Sequence, residues 1–147
     1  MDNLDIEIIN ILIDNPKIPY LEIAKTLNVS DSTVHFRIKN LINDKIILGS
    51  CLNLDYEKLG YPVTAFIHIK VGVLKYFSQV YEELYNIDGI TELHALSGDY
   101  NILARLMEKS LKSLNNTIIN NISSINHIDD IKYNISLNNS LYKKINL

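Results

Sequence analysis

Residues 23–42 read IAKTLNVSDSTVHFRIKNLI, and this stretch decides the architecture of the first third of the chain. Ile23, Ala24 and Leu27 recur at helical spacing, and the run then stops at Asn28. Asparagine tolerates the left-handed conformation that closes a helix, so a tight turn is expected there. Ser30 or Asp31 then caps another helix, whose inner face carries Val34, Ile38 and Leu41. Ala24 is small where the two helices must cross closely, and Val29, Val34 and Ile38 fill the angle between them. The pattern is that of a helix–turn–helix, in which the N-terminal part of the second helix enters the DNA major groove. The competing reading is an ordinary three-helix structural bundle. The outward positions left over are Ser30, Ser32, Thr33, His35, Phe36 and Lys39.

Upstream, NLDIEIINILIDN (3–15) sets Leu4, Ile8, Ile11 and Leu12 on one helical face, with Asn3 or Asp5 as N-cap. Asn15-Pro16 ends that helix, because proline disfavours a helical residue before it and has no N–H to donate. The second helix is expected from Pro19 or Tyr20 to Leu27. Downstream of about Ile46 the period changes to two. IILGSCLNL (46–54) reads as a strand, with Cys51 a small buried apolar residue on it, and DYEKLGYP (55–62) as a linker. In VTAFIHIKVGV (63–73), Val63, Ala65, Ile67, Ile69 and Val71 face one way and Thr64, Phe66, His68 and Lys70 the other. YFSQVYEELYNI (76–87) is an amphipathic helix stopped at Asp88-Gly89. ITELHALS (90–97) and NILARLM (101–107) are strands about a GDY turn. Ser110 caps a helix over SLKSLNNTIINNI (110–122), and DIKYNISL (130–137) is a fourth strand.

The order βαββαβ predicts a ferredoxin-like antiparallel sheet with two helices on one face, so the class is α+β. The other face has no cover within the chain yet carries apolar residues such as Phe66, which predicts association with a second copy.

Composition narrows the function classes. With one cysteine in 147 residues there is no disulfide framework and no zinc site of paired thiolates. The N-terminus MDNLDIEIIN lacks a signal peptide's basic region, and no apolar run reaches the ~18–20 residues of a membrane span, which predicts a cytoplasmic protein without membrane contact. The frequent asparagine, isoleucine and lysine reflect an AT-rich genome rather than a functional tract. His68, His94 and His127 are well separated and form no metal-type cluster. No nucleophile–base set or glycine-rich phosphate loop stands out, so neither metal nor cofactor is expected and the chain does not read as an enzyme.

The match of motifs extends nearly end to end. LDIEIINIL (4–12), NPKIPYLEIAKTLNVSDSTVHFRIKNL (15–41), KIILGS (45–50), LGYPVTAFIHIKV (59–71) and SGDYNILARL (97–106) stand in order and at the right spacing. Together they resemble the Lrp/AsnC family, the leucine- and asparagine-responsive regulators of bacteria and archaea. The resemblance implies a winged helix–turn–helix DNA-binding domain at 1–50, a strand and linker at 51–61, and a ligand-binding and oligomerisation domain of the α/β-sandwich type at 62–147. It implies dimers paired through their sheets, often assembled into tetramers or octamers, and an amino-acid effector near Gly98, Asp99, Tyr100 and Asn101. Siroheme decarboxylases resemble this family in both halves, but they depend on clustered histidine and arginine in the C-terminal domain, where Arg105 is this chain's only arginine. A ligand-independent architectural DNA-binder of the same fold is the other alternative. Three departures stand out: Asn28 for the usual turn glycine, Lys45 for the glycine before the wing, and Asn101 for the usual aspartate of the effector loop.

For double-stranded DNA, Ser30, Ser32, Thr33, His35, Phe36, Arg37, Lys39 and Tyr20 are the expected contact residues. Lys39 suits a phosphate. Arg37 suits either a phosphate or a bracing carboxylate, and Phe36 either a thymine methyl or packing. The chain is nevertheless acidic, with a formal net charge of −3. In residues 1–46, Lys17, Lys25, Arg37, Lys39 and Lys45 face seven carboxylates, which lie mostly on the first helix and at helix starts. Local potential within a Debye length of ~8 Å outweighs net charge. One copy therefore neutralises few phosphates, and useful affinity requires two or more copies acting together.

Overall fold

A computed structural model describes residues 1–137 and residue 145. The strand expected to begin at Asp130 therefore lies within the described residues, and most of the C-terminal ten residues lie outside them. The chain divides into two compact units, one running from Met1 to Asn53 and the other starting at Leu54.

The first unit holds three helices: α1 (Asn3–Asp14), α2 (Tyr20–Thr26) and α3 (Asp31–Asn43). The N-cap of α1 is Asp2, not Asn3 or Asp5. Asp2 accepts from the Asp5 backbone N–H, and the Asp5 carboxylate accepts from the Asp2 N–H in return. A reciprocal box satisfies two orphan donors at once, which is why the helix starts one residue earlier than the single-cap reading expected. Ile8, Ile23, Ala24, Val34 and Ile38 form the core, as the periodicity predicted.

Both turns are closed by left-handed residues. Asn28 has φ 55°, and the Val29 N–H reaches back to the Ala24 carbonyl while the Asn28 N–H reaches that of Lys25. The same pair of bonds ends α3: Ile46 N–H to Leu41 O and Lys45 N–H to Ile42 O, with Lys45 at φ 57°. These are Schellman closures. Lys45 thus holds a left-handed backbone that strains an L side chain.

The strand expected over 46–54 is absent. Residues 47–55 form no ladder with any described residue, and Leu48 and Leu52 stand exposed. A period-two sequence becomes a strand only when a neighbour supplies the other half of the ladder. Cys51 on this segment is exposed, not buried.

The second unit is a four-stranded antiparallel sheet in the order β2-β3-β1-β4, with β1 (Val63–Lys70), β2 (Ile90–Ala95), β3 (Ile102–Glu108) and β4 (Asp130–Ile135). Ala65, Ile67 and Ile69 of β1 and Ile102, Ala104 and Leu106 of β3 are fully buried. They pack with Val80 and Leu84 of α4 (Phe77–Tyr85) and Leu114 of α5 (Leu111–Asn116). The helix expected over 110–122 widens after Asn116 into a π-helical turn, Thr117–Ile122, which keeps Ile118 and Ile122 in the core. The opposite face presents Thr64, Phe66, His68 and Lys70 of β1, with Phe66 registered against Arg105 and His68 against Leu103.

Candidate DNA-reading face and effector loop

Helix α3 is anchored by Val34, Ile38 and Leu41. At 100° per residue this fixes which residues face away. Ser32, His35, Phe36 and Lys39 are exposed and Thr33 is half-buried. The Ser30 hydroxyl caps the helix by accepting from the Thr33 N–H at 3.1 Å. It also lies 2.8 Å from the Ser32 Oγ and 2.7 Å from the Thr33 Oγ1. Three hydroxyls thus gather at the helix start beside its free N–H groups, an arrangement that offers donors to phosphate or base edges without a formal charge. His35 sits 3.8 Å from the Asp31 carboxylate and meets Tyr20 edge-on at a centroid distance of 4.7 Å. Tyr20, from the start of α2, therefore joins the face through His35.

Arg37 is placed differently from its neighbours. Its Nη1 donates to Asp2 Oδ2 at 2.6 Å and to Asp5 Oδ1 at 3.3 Å, tying α3 to the cap of α1. The Asp5 N–H bond and then the Arg37 guanidinium hold the Asp2 carboxyl below the usual carboxylate range, and the pairing with Asp2 raises Arg37. The sequence had left Arg37 between phosphate and brace; its two carboxylate partners agree with the brace. The Asp2–Asp5 box was not foreseen, although an aspartate three residues after another at a helix start is the signal for it.

In the second unit, Gly98, Asp99, Tyr100 and Asn101 lie between β2 and β3. Gly98 takes φ 112° and Asp99 is exposed. The Tyr100 hydroxyl donates to Asp130 of β4, and the Lys132 ammonium stands 4.6 Å from the Tyr100 ring centroid. The Tyr100 bond is the main reason that the Asp130 carboxyl falls below its ordinary range. Asn101 does not point outward as an effector contact would. It is 7% exposed, its Oδ1 accepts from Val71 N–H at 3.0 Å, and its Nδ2 donates to Val71 O at 2.9 Å. The side chain that replaces the aspartate clasps the end of β1 with one accepted and one donated bond. Both an acceptor and a donor are needed for that, and an ionised carboxylate supplies only the first.

The histidines keep apart. His127 stacks flat on Tyr76 at 3.6 Å, His94 lies 3.6 Å from Glu92, and His68 is on the face of the sheet opposite the helices. Arg105 donates to Glu92 at 2.6 Å, which lowers the Glu92 carboxyl. Among the described residues no group of three or more His, Cys, Asp or Glu converges as a metal would need, and no helix is long and apolar enough to cross a membrane. An apolar hollow beside α4 is lined by Phe77, Ser78, Tyr81, Glu82, Tyr85 and Ala95.

Comparison with known proteins agrees with both halves. Residues 1–47 match the winged helix-turn-helix DNA-binding family, and residues 64–144 match the Lrp/AsnC ligand binding domain. The regulatory protein AsnC of Escherichia coli is 32% identical over 145 residues, 99% of this chain and 95% of that protein. The regulatory protein AsnC of Haemophilus influenzae is 30% identical over 145 residues, 99% of this chain and 97% of that protein. The solved structure of Escherichia coli AsnC superposes with a TM-score of 0.92 at 31% identity, covering 100% of this chain and 99% of the other. These relatives are regulators rather than enzymes, over essentially the whole chain. The chain belongs to the Lrp/AsnC family of transcriptional regulators, with a helix–turn–helix DNA-binding domain followed by the family's ligand-binding domain.

Proposed function

We propose that the chain works in the cytoplasm as a homodimer or larger homo-oligomer that sets two or more α3 helices into the major groove of promoter DNA, and that an amino acid bound beside residues 98–101 changes that hold. The observation that carries the first half is the outward face of α3. Ser32, Thr33, His35 and Lys39 are free of the core, and Ser30 gathers the hydroxyls at the helix start. Arg37 acts behind this face, by fixing the helix to Asp2 and Asp5.

The acidic balance supports association. A single reading face with Lys39 as its principal cation neutralises few phosphates, so copies must combine. The sheet face carrying Phe66 and Leu103 supplies the apolar surface for pairing. In the effector loop, the exposure of Gly98 and Asp99 supports a ligand contact there, the Asp99 charge suiting an ammonium group. Tyr100 and Asn101 hold the loop to β4 and β1. A transcriptional regulator from Neisseria meningitidis solved as an L-Met complex shares this fold, with a TM-score of 0.90 at 18% identity.

Selection of bound fragments from the native genome, with and without each amino acid, tests the reading. Recovery of a defined set of promoter fragments whose yield changes with one or a few amino acids is the expected result. Recovery of fragments at random would overturn it. Phe66→Glu is expected to convert the assembly to monomers by light scattering without loss of helical content; an unchanged mass would contradict pairing through this face.

A further inference from the structure

Phe36 is anomalous on α3. Taking Val34, Ile38 and Leu41 as the inward direction, a residue two positions after Val34 lies roughly 200° round the helix, almost directly opposite the core. The residue is 62% exposed and takes no part in the core cluster. It therefore does not pack into the core of this unit. Its neighbours on the same face, at i−4, i−3 and i+3, are Ser32, Thr33 and Lys39, two hydroxyls and an ammonium group. A large apolar ring in the centre of a hydrogen-bonding face adds nothing to the stability of the folded unit. It gains only if the partner covers it with something apolar.

The floor of the B-DNA major groove offers one apolar group, the C5 methyl of thymine. We infer that Phe36 is a specificity-determining residue that reads thymine through this methyl. The inference deepens the DNA-binding reading above and rests on it. The surrounding hydroxyls can each donate or accept and so discriminate bases weakly. The ring, which has no polar atom, rejects the N–H and carbonyl edges it would desolvate and favours the methyl. On this face the apolar residue carries more sequence information than Ser32 or Thr33.

The test uses the full chain and a random library of duplexes, amplified once with dTTP and once with dUTP, which lacks the methyl. Wild type and Phe36→Ala are selected on both, with melting temperatures compared to establish that the variant is folded. Wild type is expected to enrich thymine at one position of each half-site by about fourfold, the equivalent of one buried methyl group at ~0.8 kcal/mol. From the dUTP library that preference is expected to vanish while preferences at other positions persist. Phe36→Ala is expected to give the same site from both libraries. Identical wild-type sites from the two libraries, or a thymine–uracil distinction retained by Phe36→Ala, would overturn the inference and leave DNA binding intact. Absence of any enriched site with wild type would overturn the DNA-binding reading and this inference with it.

Discussion

Two glycines with nearly the same backbone make a clean test of how the second unit is built. Gly89 has φ +89° and Gly60 has φ +91°, so an L side chain at either is strained by its backbone. Their surroundings differ. A Cβ at Gly60 would meet nothing within 4 Å, whereas one at Gly89 would lie 2.7 Å from the Met107 carbonyl oxygen and 3.0 Å from Leu106 Cδ1. The Gly89 carbonyl also accepts from the Met107 N–H at 2.8 Å, so the turn cannot move from β3 without breaking that bond. Gly60→Ala should therefore cost ~1 kcal/mol, the backbone strain alone. Gly89→Ala should cost that amount plus the steric displacement and the weakened bond, ~3 kcal/mol in all. At about 4–8 °C per kcal/mol for a unit of this size, Gly89→Ala should melt at least ~10 °C below wild type. Gly60→Ala should melt only about 4–8 °C below it. Thermal melts followed by far-UV circular dichroism decide the matter. Equal losses in the two variants would show that φ strain explains everything and that the close approach of Gly89 to β3 is wrong.

Three further outcomes follow from the site. Asn101→Ala removes both bonds to Val71 and leaves a buried N–H and C=O without partners, so urea titration should show a loss of ~2–3 kcal/mol. Lys45→Gly keeps the left-handed C-terminal closure of α3 while relieving the strain of a side chain there, and should raise stability by up to ~1 kcal/mol; a lower melting temperature would count against that closure. Asp2 has its folded pKa depressed, so its contribution is present above the unfolded value of 3.8 and is lost as pH falls through the folded one. Asp2→Asn keeps the capping acceptor but not the charge, and its stability should fall less steeply than that of wild type below about pH 4.

How far the sequence could be read depended on whether the deciding interaction was local. The turn at Asn28 and the cap at Ser30 are settled within a few residues, and both were legible. The alternation of β1 places Ala65, Ile67 and Ile69 in the core for the same reason. Long-range partners were not legible. Arg37 finds Asp2 and Asp5 more than thirty positions away, and Asn101 turns inward to Val71, thirty positions back, where the sequence had set it out for an effector. The segment over 46–54 shows the reverse error. Its pattern is that of a strand, but a ladder needs a second strand and no described residue provides one, so Leu48, Cys51 and Leu52 remain exposed. Phe36 sits between the two cases: its periodicity put it outside and the structure leaves it exposed, whereas what covers it there is not written in its neighbours.

The central claim is that paired α3 helices read DNA from the major groove. Methylation interference on a fragment recovered from the genome tests it most directly, because dimethyl sulfate marks guanine N7 in the major groove and adenine N3 in the minor groove. The account predicts interference at guanine N7 in two clusters about one helical turn, ~34 Å, apart or a multiple of that spacing. It also predicts that both clusters weaken together in His35→Ala and Lys39→Ala. Interference confined to adenine N3, or a pattern and affinity unchanged in both variants, would contradict it.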